Sequence, residues 1–311
     1  MNRCFLRAAA SVLAFTLGIV LGGRVRADVL ITMPSPAYLA MQADVVVVGK
    51  VTAIEPAIVE AETINARKPE LKPVKTGYRI ALVSVQEALL GGDLKTIRVG
   101  LPAAQPRKEP VEVPDRHSLV ESFGSAPTAL SVGEEGIFIV DRHPAADFFM
   151  FDMRAFWGPE GRSLTWDGCG TFQPVGGQTY AEHLAAIRKV AAAHADPVKA
   201  LQSPELADRS LALTALLYRY ARRPVGLGQD EKPATQDIPA EVNQWILKVL
   251  TEVEVSVRSR CWDFVGATGY VDPNPNEGFK NGYVSARDEA ILRYIKENQD
   301  KIHIRKNVMS Q

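Results

Sequence analysis

Near Gly176-Gly177 the apolar residues of this 311-residue chain change their spacing from every second position to every third or fourth. The first spacing belongs to strands and the second to helices, so the chain must fold as a β-rich part followed by a helical part. An α+β architecture with a boundary at 176/177 is the expectation.

In the β-rich part, Ser35-Pro36 is placed to cap one helical turn through Met41. The run Val45-Val46-Val47-Val48-Gly49-Lys50-Val51-Thr52-Ala53-Ile54 is dominated by β-branched residues and reads as a buried strand. A polar stretch from Glu60 to Lys75 precedes a second strand, where Tyr78, Ile80 and Leu82 alternate with Arg79, Ala81 and Val83. Gly91-Gly92-Asp93 turns the chain into a third strand through Ile97, Val99 and Leu101, which predicts a meander. Residues 102–127 hold Pro102, Pro106, Pro110, Pro114 and Pro127 among many charges and read as a long surface excursion. Ile137-Phe138-Ile139-Val140 and Phe148-Phe149-Met150-Phe151 then flank a turn at His143-Pro144. Five or more strands must hide their edges, and a small closed barrel or a sandwich does so.

The helical part opens on Thr179 and Glu182, a capping box ahead of Tyr180, Leu184, Ile187, Ala191 and His194. Ser203 and Pro204 signal a second helix that stacks Leu206, Ser210, Leu213, Leu217 and Tyr220. Pro239 begins a third, with Val242, Trp245 or Ile246, Val249 and Val253, and Ser285 with Asp288 has the form of a capping box before a last helix through Asn298. Loops are expected at Arg223–Thr235 and Trp262–Tyr283.

The first 27 residues have the three-part layout of a cleavable signal peptide. Arg3 and Arg7 precede an apolar run from Ala8 to Leu21, and Gly22-Gly23-Arg24-Val25-Arg26-Ala27 leads to cleavage between Ala27 and Asp28. The apolar run falls short of the roughly 20 residues a membrane span needs, so no stable span is expected after cleavage. The implied location is exported, periplasmic or extracellular. Losing four arginines takes 36 basic and 36 acidic residues to 32 and 36, a mildly acidic balance that argues against nucleic acid as a partner. Of the three cysteines, Cys4 leaves with the signal, while Cys169 and Cys261 reach a compartment where a disulfide persists. A bridge closing that loop stabilises by roughly 4 kcal/mol, and two buried thiols are the alternative.

The segment Ala43-Asp44-Val45-Val46-Val47-Val48-Gly49-Lys50-Val51-Thr52, the strand end Val85-Gln86-Glu87-Ala88-Leu89-Leu90-Gly91, and Leu130-Ser131-Val132-Gly133-Glu134-Glu135-Gly136-Ile137-Phe138-Ile139 together resemble netrin-module, or tissue-inhibitor-of-metalloproteinase-like, domains. The resemblance covers about residues 28–155 and implies an oligonucleotide/oligosaccharide-binding (OB) type of antiparallel barrel over 28–176. The inhibitors of that family reach a protease metal through an N-terminal cysteine, which a chain beginning at Asp28 lacks. The whole sequence is similar to a group of exported bacterial proteins that join such a barrel to a helical tail, here 177–311. Leu201-Gln202-Ser203-Pro204-Glu205-Leu206-Ala207-Asp208-Arg209, with Ala212, Leu213 and Leu216 beyond, resembles a HEAT-type repeat, and a plain bundle is the alternative.

Chemistry-bearing residues are scattered. Asp115-Arg116-His117-Ser118 and Asp141-Arg142-His143 bring acid, base and hydroxyl close in sequence, but neither Ser118 nor Ser125 lies in a Gly-x-Ser-x-Gly elbow. Polar loops account for both. The five histidines form no His-Glu-x-x-His array, and His194, near the end of a helix, is placed to bond a carbonyl. Asp272, Asn274 and Asn276 offer oxygens at the first, third and fifth positions of a calcium loop, but Gly278 comes one residue late and Tyr283 stands where a bidentate Glu belongs. A Pro- and Asn-rich turn explains them more simply. Trp157, Trp166, Trp245 and Trp262 read as core residues, with a ligand-stacking platform as the alternative, and Trp166 and Trp262 stand near the cysteines. No cofactor is implied. The expectation is a non-enzymatic exported protein that binds another envelope or secreted protein. A hydrolase with a site between the two parts and a structural surface protein are the rivals.

Overall fold

The computed structural model describes residues 35–63, 74–103, 130–151, 155–160, 163–165, 179–224, 231–267, 270–273 and 283–308. The protein is α+β. Ser35 accepts a hydrogen bond from the Tyr38 amide at 3.3 Å and caps helix α1, Pro36–Ala40. The long strands β1 (Val45–Thr63) and β2 (Val74–Leu90) pair antiparallel along their length. Gly91 and Gly92, at φ 100° and 96°, supply the left-handed conformation that turns β2 into β3, Thr96–Pro102. The meander read from the sequence is present.

Strand β4 (Glu135–Arg142) returns to pair with the first six residues of β1, from Val45↔Val140 to Lys50↔Glu135. Strand β5 (Phe149–Met150) lies between β3 and β4. The ladders therefore run β1-β2-β3-β5-β4 and back to β1, with β6 (Ala155–Trp157) and β7 (Ser163–Thr165) added beside β4. The β3–β5 ladder is parallel, where the resemblance to OB-type barrels implied antiparallel pairing throughout. Two residues carry no period from which direction can be read.

A cyclic ladder has an inside and an outside, and β1 fills both. Val45, Val47 and Val51 join Ala81, Val83, Ile97, Val99, Phe138, Val140 and Phe156 in one buried cluster. Val46, between them, joins Ile137, Ile139 and Trp157 against Leu39 and Met41 of the α1 turn and Ile187, Val190, Ala215 and Tyr218 of the helices. That is why Val45–Val48 is uninterrupted by polar residues: water reaches neither face. Gly136 allows the closest approach, since a Cβ there would sit 2.2 Å from the Trp157 carbonyl oxygen and 2.5 Å from the Phe156 ring.

The helical layer comprises α2 (Tyr180–Ala195), α3 (Pro197–Leu201), α4 (Leu206–Ala221), α5 (Ala240–Glu252), α6 (Val255–Trp262) and α7 (Tyr283–Asn298). Thr179 and Glu182 form the expected capping box. Ser203 is not a cap. The Arg209 guanidinium donates to the carbonyls of Ser203 (2.8 Å) and Pro204 (3.0 Å), holding that segment as a turn, and α4 begins later with Glu205 at its cap position. Asp288 is likewise no cap: α7 starts at Tyr283, and the Asp288 carboxylate binds Arg258. The sequence reading missed α3, capped by Asp196, and α6. It also missed a two-stranded ribbon of β8 (Thr235–Asp237) and β9 (Arg305–Asn307), so the C-terminal part is not purely helical. Three-residue strands are too short to show alternation.

Helix α4 packs on two sides. Leu213, Leu216 and Leu217 enter the core of the helical layer with Ile246, Leu250, Trp262, Ile291 and Ile295, while Ala215 and Tyr218 enter the cluster shared with the sheet. All described elements belong to one compact unit, Pro34–Gln311. The boundary expected at 176/177 lies outside the described residues, as do the cleavage site Ala27–Asp28 and most of the 102–127 excursion. Among the described residues no helix is long and apolar enough to cross a membrane.

Candidate binding cleft

The end of α4 carries arginines at 219 and 222, one helical turn apart, both facing the start of β1. Arg222 is buried. Its guanidinium donates to Asp44 Oδ1 at 2.6 Å and to Asp141 Oδ1 at 3.3 Å. Asp141 Oδ1 accepts from the Asp44 amide (2.9 Å), and Asp44 Oδ2 accepts from the Arg142 amide (2.9 Å). One arginine thus closes a clamp across the beginning of β1, the end of β4 and the end of α4. Burial alone raises the Asp44 carboxyl, but the hydrogen bond and charge of Arg222, the Arg142 amide and the nearby Arg219 outweigh it and hold the group below the usual aspartate value. Arg219 reaches beside this clamp and donates to the Ala43 carbonyl at 2.7 Å.

Next to the clamp is a cleft of about 460 Å³. Its lining comes from every layer: Asp44, Leu90 and Gly91 from the sheet, His194 and Pro197 from the α2–α3 corner, Leu216, Arg219 and Tyr220 from α4, and Gln236, Lys306, Asn307 and Val308 from the ribbon. Gln236 and Lys306 are register partners in that ribbon, so their side chains stand side by side. Asn307 fixes the ribbon to α4 by donating to the carbonyls of Ala221 (3.0 Å) and Arg222 (3.1 Å), which the helix end leaves unpaired.

The cleft is rich in uncommitted donors. Lys306 and Gln236 have no side-chain partner among the described residues. His194 Nε2 is buried and also unpartnered, so the carbonyl bond expected for this residue is not made by that nitrogen. Burial and then the charge of Arg219 push the His194 pKa down to about 4, and the ring is neutral at pH 7. Burial raises the Tyr220 hydroxyl, which therefore stays protonated. The acidic lining residue, Asp44, is already engaged by Arg222.

Other residues singled out in the sequence lie elsewhere. His143 is buried against Tyr78 and Phe148, with ring centroids 5.3 and 4.7 Å away, and its Nδ1 accepts from the Ala145 amide at 3.1 Å. Burial lowers its pKa. Arg142 lays its guanidinium over Phe149, 5.3 Å from the ring centroid, so Asp141, Arg142 and His143 serve three separate contacts. Asp272 accepts from Arg287 (2.8 Å) and from the Tyr270 hydroxyl (3.0 Å) on the same oxygen. Asn274 and Asn276, like Asp115, His117, Ser118, Ser125 and Trp166, lie outside the described residues. Cys261 is a buried free thiol 3.7 Å from the Thr214 hydroxyl, raised in pKa by burial, and Cys169 lies outside the described residues. Trp157 and Trp262 are core residues, while Trp245 is half-buried with Lys248 4.4 Å above its ring.

Lys306, Gln236 and Arg219 escaped the sequence reading. A pair of arginines one turn apart at a helix end was the available signal for Arg219; Lys306 and Gln236 carried none. No family model, curated protein or solved structure matches this chain.

Proposed function

We propose that this is an exported binding protein of the bacterial envelope, with an OB-type barrel joined to a helical layer, and that it holds its partner in the cleft where the two meet. The cyclic order β1-β2-β3-β5-β4-β1 supports the barrel reading. Export is supported by the basic, apolar and small-residue layout of residues 1–27. The observation that carries the binding reading is the cleft itself. It combines an apolar floor with uncommitted donors from separate elements, and a buried arginine clamp fixes its walls.

The test is an affinity capture from envelope extract with the chain from Asp28 onward, comparing wild type with Lys306→Glu. A partner retained by wild type and lost in the variant, with melting temperatures alike, is the expected result. Equal retention by both proteins, or retention by neither, overturns the cleft as the binding surface.

A further inference from the structure

The ionised groups of the cleft lining are Arg219 and Lys306 against Asp44, a surplus of one positive charge. Behind them Arg222 and Asp141 offset each other. A surplus of one matches a monoanion better than a doubly charged phosphate. The uncommitted polar groups, namely the Lys306 ammonium and the Gln236 amide, are able to donate to an anion's oxygens. Leu90, Leu216, Pro197 and Val308 complete the lining with apolar surface, which suits a body larger than a bare ion. Nothing in the lining demands a second charge on the ligand.

Resting on the binding reading above, we propose that the cleft receives a single carboxylate carried on an apolar body, its oxygens held by Lys306 and Gln236 and its body against Leu90, Leu216 and Val308. His194 lines the cleft with its Nε2 buried, so its ring reports the ligand's arrival without bonding to it through that nitrogen. The carboxylate has two possible sources, a free organic acid or the C-terminus of a peptide, and the cleft chemistry is the same for both.

The experiment titrates the chain from Asp28 with benzoate, N-acetyl-leucine, N-acetyl-leucinamide and phenyl phosphate, following the His194 ring signals by NMR in histidine-labelled protein. The His194 signal is assigned by its loss in His194→Gln. The expected result is saturable movement of that signal by a carboxylate at millimolar concentration, with the amide about tenfold weaker and Lys306→Gln weakening the acid about tenfold. Tighter binding of N-acetyl-leucine than of benzoate identifies a peptide end as the source, and the reverse identifies a small acid.

The proposal is overturned if the amide binds as well as the acid, if phenyl phosphate binds more tightly than either acid, if Lys306→Gln changes nothing, or if no carboxylate moves the His194 signal. Should carboxylates fail while a captured partner is still lost with Lys306→Glu, the binding reading stands and the carboxylate assignment alone falls. Should carboxylates bind and capture fail, the cleft stands as a ligand site and the envelope partner alone falls.

Discussion

At the scale of single residues, polar groups buried between layers do more than the surface charges. Arg258 donates to the carbonyls of Leu250 (2.6 Å) and Val253 (2.5 Å) at the end of α5 and pairs with buried Asp288 of α7. It places a cation on carbonyls that have no helical partner and satisfies a carboxylate away from water. Arg258→Leu strands that carboxylate, and urea unfolding should register a loss of about 3–5 kcal/mol. His194 gives the pH dependence. Its folded pKa of about 4 lies below the ordinary histidine value of 6.5, so as pH falls through 6.5 the unfolded chain takes up a proton that the folded one refuses. Its contribution to stability is whole above pH 6.5, declines toward pH 4 and is fully lost below. His194→Gln should therefore show a shallower decline in unfolding free energy than wild type between pH 6.5 and 4. Little of this was legible in the sequence: an arginine reads as surface until the fold supplies a buried carboxylate, and a histidine near a helix end shows its burial only when a neighbouring helix packs beside it.

At the scale of elements, legibility followed length. The apolar runs of β1, β2, β3 and β4 and the turn at Gly91-Gly92 were plain, because each spans enough residues to display a period or a left-handed requirement. Strands β6 to β9, of three residues each, were not, and neither was α6, whose eight residues fall between the third helix and the expected loop at Trp262. The expected cap at Ser203 failed because Arg209, a residue the local pattern ignores, holds the carbonyls there. Where β1, β4 and β6 crowd together, Gly136 is the element-scale weak point. A methyl group there meets backbone oxygen at 2.2 Å, and a carbonyl already fixed in a ladder has nowhere to retreat. Gly136→Ala should lower the melting temperature by several degrees, equivalent to about 1–3 kcal/mol, read by thermal unfolding followed by circular dichroism.

At the scale of the whole molecule, the change of spacing near Gly176-Gly177 announced two kinds of structure but not the surface they share. Ala215 and Tyr218 were invisible as contacts, because the pattern in α4 had been read as one apolar face when the helix has two. A chain cut between residues 176 and 177 and expressed as halves should therefore expose the Val46, Ile137 and Ile139 side of the sheet in one half and the Ile187, Val190 and Ala215 side of the helices in the other. Each half alone should bind a hydrophobic dye that the intact chain excludes, and mixing the halves should suppress that signal.

Because α4 is packed from both sides, it has no neighbour that can leave without disturbing it. In native-state hydrogen exchange its central amides, from Leu213 to Leu217, should open only when the entire unit opens, and their exchange free energy should equal that of global unfolding. The walls of the cleft contributed by Leu216 and Arg219 then belong to the slowest-exchanging part of the molecule, while Gln236 and Lys306 stand on a three-residue ribbon that frays far more readily. A ligand seated between them would join the last-opening and first-opening parts of the protein, and its arrival should be felt as slowed exchange at both, at the ribbon because fraying must release the ligand and at the helix because global unfolding must.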